Sequence, residues 1–229
     1  MALPIQPTMR DPQVTPYINV TFPVQGTYLP ADHGYLLYSA ITRYVPSLHT
    51  VSWLGIELIS GIPWEKGLIA LPRRNGSLRL RLPADKLAQA LLLAGARLEL
   101  DSYALRLGIP LARPLVPASS LYARIVTIKK FIEPEPFLAA AQRQLIQLGI
   151  NSTPELPSDG HTRSRRIITI HGHKIVGFSL ATHGLSEEDS IKLQTHGIGG
   201  RRTMGCGIFN PIVKAIWTQE EGFSEEKAL

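Results

Sequence analysis

Hydrophobic and polar positions alternate along this chain in two spacings, one typical of strands and the other of helices. Residues 17–24 are rich in β-forming side chains, and residues 33–45 repeat apolar side chains at helical spacing. Asp32 precedes this helix as its predicted N-cap, and Pro46 follows it as a residue that ends helices. The pattern therefore predicts a strand followed by a helix.

The rest of the first half predicts further strands and a second helix. Together with the first two elements they give the order β-α-β-β-α-β, which is that of a ferredoxin-like fold. The predicted elements are a strand at 51–59, a third strand in two pieces at 68–71 and 77–82, a helix at 83–94 and one or two strands within 97–107.

A proline-containing linker at 108–120 precedes a second half with the same element order. The fold class is therefore α+β, with tandem ferredoxin-like domains at 1–113 and 114–218 and an acidic tail at 219–229. The predicted elements of the second half are a strand at 121–131, a helix at 134–148, a loop at 151–162, a hairpin of 165–170 and 174–181, a short helix starting at Ser186 with Asp189 in a capping box, and a strand at 207–213.

The composition describes a basic, folded chain. It has 24 Lys and Arg residues against 18 Asp and Glu, a net charge of +6 and a pI of about 9.6. With 44% hydrophobic residues it can bury a core, so it is not a disordered chain. The single cysteine, Cys206, excludes a disulfide framework and a cysteine-rich zinc site. We expect a cytoplasmic protein with no membrane span and no secretory signal.

Positive charge is concentrated in two stretches that contain no acidic residue, 160–186 and 190–219. Such stretches are typical of nucleic-acid-binding surfaces, although an ordinary basic surface gives the same pattern. In the first stretch, Arg163, Arg165 and Arg166 are expected to contact phosphates. The alternative is that they protect a solvated strand edge.

A glycine-rich segment, residues 197–209, carries two adjacent arginines. Glycine allows backbone N–H groups to approach a phosphate, and Arg201 and Arg202 are bidentate phosphate donors, so we predict that Gly199, Gly200 and both arginines bind RNA. The alternative is a structural turn that packs the last helix on its sheet. A nucleotide-binding enzyme is the weakest interpretation, because the chain lacks the G-x-x-x-x-G-K-[ST] motif.

Residues 27–38, followed by Ser47-Leu48-His49, resemble the first helix of the CRISPR repeat-processing endoribonucleases, Cas family six of the RAMP superfamily, and among them the Myxococcus-type subgroup. The resemblance extends over about residues 17–213. It implies binding to the repeat stem-loop of precursor CRISPR RNA and one cut at the base of the stem, with no metal or other cofactor. The ribose 2′-OH would attack, giving 2′,3′-cyclic phosphate and 5′-OH ends. It also implies that the product can stay bound and join other subunits of a CRISPR effector complex.

Members of that family place a catalytic histidine in this helix or directly after it, so His33 and His49 are both candidates. His49 is slightly favoured, because Tyr38 followed by Leu48-His49 resembles members with a tyrosine–histidine site. His33 could face the cleft between domains, and each of the three could instead be a structural or surface residue. His171 and His173 flank a predicted turn next to Lys174. We expect RNA contacts there, or a turn without a functional role, rather than a metal site, because no third ligand is evident nearby in the sequence. Lys174 could stabilise the phosphorane.

Two hypotheses stay open at the level of sequence. The chain is a CRISPR repeat-specific endoribonuclease, or it is a non-catalytic RNA-binding subunit of a CRISPR effector complex. The histidines at 33 and 49 favour the first, whereas the basic stretches are expected under both.

Overall fold

The computed structural model describes residues 15–74, 76–157 and 164–212. The first half contains two helices and nine strands within these ranges. They are β1 (Tyr17–Gln25), β2 (Tyr28–Pro30), α1 (Gly34–Tyr44), β3 (Gly55–Ile56), β4 (Ile62–Trp64), β5 (Leu68–Ala70), β6 (Ser77–Pro83), α2 (Leu87–Leu91), β7 (Arg97–Leu100), β8 (Tyr103–Leu107) and β9 (Leu111–Pro114).

The main sheet of the first half has the strand order β3-β6-β1-β8-β7, with β9 also paired to β1. Strand β6 lies between β3 and β1 because every second residue along it is apolar: Leu78, Leu80 and Leu82 are all fully buried in the core of this half. The remaining strands form a separate three-stranded sheet, β2-β5-β4. Strand β2 leads directly into α1, so this small sheet adjoins the start of the first helix.

The second half has its own sheet and its own core. Its elements are β10 (Leu121–Val126), α3 (Pro134–Gln147), β11 (Pro154–Glu155), β12 (Arg165–Ile170), β13 (His173–Thr182), α4 (Glu187–His196) and β14 (Asn210–Pro211). The strand order is β11-β13-β10-β14, with β12 also paired to β13. Phe137 of α3 packs on Phe178 of β13 with ring centroids 4.6 Å apart, which fixes the helix on one face of the sheet.

Both halves therefore show the ferredoxin-like arrangement that the sequence predicts. Helix α4 begins as expected, since the Ser186 hydroxyl accepts a hydrogen bond of 3.1 Å from the Asp189 N–H. No helix in the described ranges is long and apolar enough to cross a membrane.

Several predicted boundaries are wrong, mainly where pairing with distant strands decides the outcome. The strand predicted at 51–59 is only the two-residue β3, which follows a 3-10 turn at Pro46–Leu48 and a left-handed Thr50. The helix predicted at 83–94 begins with a 3-10 turn and has only five α-helical residues. The predicted linker contains β9, and the predicted third strand is divided between two sheets. Of the strand predicted at 207–213, the described residues show only β14, while residue 213 and the acidic tail lie outside them.

Candidate active site and nucleic-acid interface

His33 lies directly before α1, but its side chain points into the core. It is fully buried; its Nδ1 lies 2.9 Å from the Pro30 carbonyl oxygen, and its Nε2 accepts a 3.0 Å hydrogen bond from the Ile59 N–H. This pairing assigns the ring proton to Nδ1 and makes the imidazole neutral. Burial lowers the pKa of His33, which also favours the neutral form. The expectation that His33 faces the cleft is therefore wrong, because its ring has no solvent contact.

His49, which follows the 3-10 turn after α1, packs on Tyr38 in the middle of that helix. Their rings are stacked, with centroids 6.1 Å apart and planes at 22°. His49 is exposed, and the half-buried Tyr38 packs on the core of the first half. The Thr50 N–H donates a 3.2 Å hydrogen bond to the Tyr38 hydroxyl oxygen, which leaves the phenolic proton available. The structure thus pairs two of the three predicted catalytic side chains on an accessible surface.

The β12–β13 hairpin of the second half docks on the beginning of α1. The Thr169 N–H donates a hydrogen bond to the Asp32 carboxylate, and the His171 ring packs on the Tyr35 ring with centroids 4.4 Å apart. Asp32 therefore links the two halves instead of capping α1, whose N-cap is His33 with no side-chain hydrogen bond. Tyr35 and Tyr38 are three residues apart on a helix, so His171 and His49 flank the same helix face.

The predicted basic residues of this hairpin lie on two faces of the sheet. In the strand register, Arg165 shares a face with the exposed Lys174, whereas Arg166 and His173 belong to the opposite face. Arg166 Nε donates to the Ser179 hydroxyl at 3.2 Å. Arg163 lies outside the described residues. The sequence cluster is therefore split by the pleat into two smaller basic surfaces.

Arg124 of β10 joins the surface of Arg166, although no motif or charge cluster in the sequence points to it. The Ser179 hydroxyl that accepts from Arg166 donates to the Arg124 carbonyl oxygen at 2.8 Å. Partial desolvation, and next the charge of Arg166, lower the pKa of Arg124. The positive charge of this face therefore includes Arg124 as well as Arg166.

The glycine-rich segment uses its backbone N–H groups within the protein. The Gly199 N–H donates to Gln144 Oε1 at 2.6 Å, the Gly200 N–H to the Thr127 carbonyl at 3.0 Å and the Gly207 N–H to the Ile125 carbonyl at 2.8 Å. In this conformation the N–H groups of Gly199 and Gly200 do not form a phosphate cradle. The alternative of a packing turn describes their position better.

Close approach explains why this segment contains glycine. Gly205 has a φ of 85°, and a Cβ there would lie 2.4 Å from Leu58 Cγ in the first half. On the facing surface, a Cβ at Gly34 of α1 would lie 2.5 Å from the Met204 carbonyl oxygen. The segment is therefore wedged against α1 and places its arginines at the junction of the two halves.

The two predicted arginines of this segment have different environments. Arg201 is exposed at a left-handed position with φ 64°, while its carbonyl oxygen accepts hydrogen bonds from Met204 and Cys206. Arg202 is half-buried, and its Nε and Nη2 atoms are buried without a hydrogen-bond partner among the described residues. Burial lowers the pKa of Arg202. Arg201 is thus the more accessible of the two arginines.

Cys206 and the histidine pair of the hairpin give no sign of further chemistry. Cys206 is fully buried, and burial raises the pKa of its thiol to about 11, so it stays protonated near neutral pH. Within the described ranges, no three His, Cys, Asp or Glu side chains come close enough together to hold a metal ion, so His171 and His173 have no third ligand there.

Comparisons with known proteins give one consistent result. Residues 18–214 match the sequence model of a family described as Cas6 Crispr. The CRISPR-associated endonuclease Cas6 of Myxococcus xanthus (strain DK1622) is 42% identical over 206 residues, which cover 90% of this chain and 86% of the relative.

Solved structures of low sequence identity share the fold. A CRISPR-associated Cas6 protein has a TM-score of 0.60 at 10% identity, covering 86% of this chain and 100% of its own. A RAMP protein described as binding different RNA substrates has a TM-score of 0.61 at 16% identity, and the match covers 86% of this chain and 99% of the RAMP protein. A Cas6-related protein from Pyrococcus furiosus has a TM-score of 0.58 at 12% identity, and the match covers 86% of this chain and 98% of the Pyrococcus furiosus protein.

Proposed function

This chain belongs to the Cas6 family, and we propose that it is an endoribonuclease that binds the repeat stem-loop of precursor CRISPR RNA and cuts it once per repeat. The observation that most directly supports a catalytic role is the stacked pair of Tyr38 and the exposed His49. The Myxococcus xanthus relative, which is named as an endonuclease, supports the same activity.

The proposed reaction needs two proton transfers and stabilisation of one charged intermediate. A base removes the proton of the ribose 2′-OH, whose oxygen attacks the adjacent phosphorus; the bond from phosphorus to the 5′-oxygen breaks, and an acid protonates that oxygen. The products are a 2′,3′-cyclic phosphate and a 5′-OH. We propose that side chains of this chain supply both proton transfers, with His49 serving one of them, so that cleavage requires no metal ion or other cofactor.

His49 is the proposed proton-transfer group. An imidazole exchanges protons near neutral pH and is accessible here, whereas the His33 ring is buried with both nitrogens engaged. The Tyr38 phenol can donate its free proton to a phosphate oxygen in the transition state. We assign His33 a positioning role at the start of α1. Lys174 remains a candidate for stabilising the phosphorane.

RNA binding is proposed for the basic surfaces around this pair. Arg201 at the glycine-rich segment and Arg165, Arg166 and Lys174 on the hairpin are suited to phosphates of a double-stranded stem, which proteins recognise by shape and backbone. His171 lies against α1, and His173 and Arg163 complete the predicted hairpin set. Gly199 and Gly200 support Arg201 by holding the loop on Gln144 of α3 and on Thr127, directly after β10.

Domain organisation, location and partners complete the proposal. Residues 1–113 would form the domain of the catalytic pair and 114–218 the domain of the glycine-rich segment, with residues 219–229 as an acidic tail. We propose that the protein works in the cytoplasm on CRISPR transcripts and keeps its product for a CRISPR effector complex.

The direct test is incubation of the full chain with its cognate repeat RNA in excess EDTA, followed by analysis of the product ends. The proposal predicts one cut at the base of the stem, with a 2′,3′-cyclic phosphate on one product. A cut only after addition of a divalent cation would overturn the metal-independent mechanism. Tight binding without any cut would identify a non-catalytic RNA-binding subunit.

A further inference from the structure

Arg81 on β6 is a fully buried arginine whose donors are all directed at oxygen atoms. Its Nε donates to Asn19 Oδ1 at 3.0 Å, and its Nη1 donates to the carbonyl oxygens of Gln194 at 3.1 Å and Phe209 at 2.6 Å. Its Nη2 donates to Asn210 Oδ1 at 2.7 Å and lies 3.6 Å from Glu57 Oε1. A guanidinium group has five N–H donors, so this environment matches its capacity.

Three of these acceptors belong to the second half of the molecule, and they stand at the two ends of one loop. Gln194 lies in the last turn of α4, just before the glycine-rich segment 197–209. Phe209 ends that segment, and Asn210 begins β14. One side chain from the first half therefore holds both ends of the loop. A cation at the C-terminal end of α4 is also favoured by the helix dipole.

The loop that Arg81 holds connects the proposed RNA contact to the proposed catalytic helix. It carries the exposed Arg201, and its Met204 carbonyl lies against Gly34 at the beginning of α1. Tyr38 follows one turn further along α1. A displacement of the loop relative to β6 would therefore change where a bound phosphate meets the Tyr38–His49 pair.

We propose that Arg81 is a positioning residue that sets the register between the RNA-binding loop and the catalytic pair. The predicted effect on cleavage rests on the proposed function. The hydrogen bonds from Arg81 to both ends of the loop, which we call the clamp, are a property of the protein without RNA. Arg81 contacts no substrate in this arrangement, because it is completely enclosed. Its effect on cleavage is therefore transmitted through the ends of the loop.

Strand β6 offers a matched control. Arg79 lies two residues before Arg81, but it pairs with Glu57 at 3.1 Å and stays partly exposed, with no hydrogen bond to the second half within the described ranges. Replacing Arg79 by lysine makes the same chemical change on the same strand without touching the loop. The Asn210→Ala variant gives a milder second perturbation, because it removes one acceptor and keeps the guanidinium in place.

The experiment compares wild type, Arg81→Lys, Arg79→Lys and Asn210→Ala, each shown to be folded by circular dichroism. Amide hydrogen exchange of residues 197–209 is measured without RNA, and single-turnover cleavage and Kd are measured with repeat RNA. We expect Arg81→Lys to speed exchange of the Gly200 and Gly207 amides by about tenfold or more. We expect its cleavage rate at saturating RNA to fall roughly 10- to 100-fold with Kd changed by less than about threefold.

Asn210→Ala should shift both quantities in the same direction by a smaller factor, and it carries the test if Arg81→Lys does not fold. Unchanged exchange in both variants, or equal losses in Arg79→Lys, would overturn the clamp. Faster exchange with an unchanged cleavage rate would overturn the positioning role. If wild type itself does not cut, the proposed function has failed and the positioning role with it, while the exchange data still decide whether Arg81 clamps the loop.

Discussion

Replacement of His33 separates a structural histidine from a catalytic one. In His33→Ala, the Pro30 carbonyl and the Ile59 N–H lose partners that lie 2.9 and 3.0 Å away in a fully buried site. An unpaired buried polar group costs about 1–3 kcal/mol, and loss of ring packing adds a cavity. We therefore expect the free energy of unfolding to fall by about 3–5 kcal/mol. For a chain of this size that is a decrease in Tm of about 6–20 °C.

The same site predicts a pH dependence with a definite sign. Burial lowers the pKa of His33 in the folded state, whereas a histidine in the unfolded chain has a pKa of about 6.5. Below about pH 6.5 the unfolded state therefore binds more protons, and the stabilisation by His33 is lost as the pH falls toward the folded-state pKa, by up to about 1.4 kcal/mol per pH unit.

Chemical denaturation of wild type, His33→Ala, His33→Gln and His49→Ala at pH 7.5 and 5.5 checks the predicted loss of stability and its pH dependence. The stability difference between wild type and His33→Gln should be larger at pH 7.5 than at 5.5. His49→Ala should remain within about 0.5 kcal/mol of wild type, because His49 is exposed. A fully stable His33→Ala protein, with a pH profile equal to that of wild type, would refute the structural role of His33.

Two further predictions concern the glycine-rich segment. Arg201→Ala should weaken RNA binding and reduce the slope of log Kd against log salt by about one unit. Arg97→Ala, at an exposed position on the edge strand β7 and outside the proposed RNA-binding set, should leave the slope unchanged. An unchanged slope in Arg201→Ala would remove Arg201 from the interface. Gly205→Ala should destabilise the fold by at least about 1–2 kcal/mol, because the position is left-handed and crowded by Leu58. Gly200→Ala, which meets no atom within 4 Å, should be nearly neutral in thermal denaturation. Equal stability of the two glycine variants would contradict the packing argument.

Local sequence signals predicted the parts of the fold that local physics decides. The Ser186 cap, the periodic helix α3 and the β12–β13 hairpin have such signals, and all three are present. His171 and Gly172 form the hairpin turn, and both have positive φ, at 49° and 77°. The elements without local signals are determined by contacts between residues that are distant in the sequence. Strand β9 forms because β1 has a free edge, and no local pattern in 108–120 indicates that partner.

The candidate site shows the same division. The pairing of Tyr38 with His49 follows from one helix and the turn after it, so the resemblance of that segment was sufficient to predict it. The burial of His33 depends on the segment that contains Ile59, and the burial of Arg81 depends on the second half covering the polar face of β6. Arg79 and Arg81 share one face of β6 by strand alternation, and only the packing of the two halves distinguishes the partly exposed Arg79 from the buried Arg81.

The most direct test of the account is the single-turnover cleavage rate of His49→Ala and His33→Gln on cognate repeat RNA in excess EDTA, with Kd measured in parallel. We predict that His49→Ala lowers the rate by about 100- to 10,000-fold, as loss of a proton-transfer group does, with binding unchanged. Folded His33→Gln should cut at a rate close to that of wild type. Wild-type cleavage by His49→Ala, or loss of cleavage by a stably folded His33→Gln, would contradict the assignment of His49.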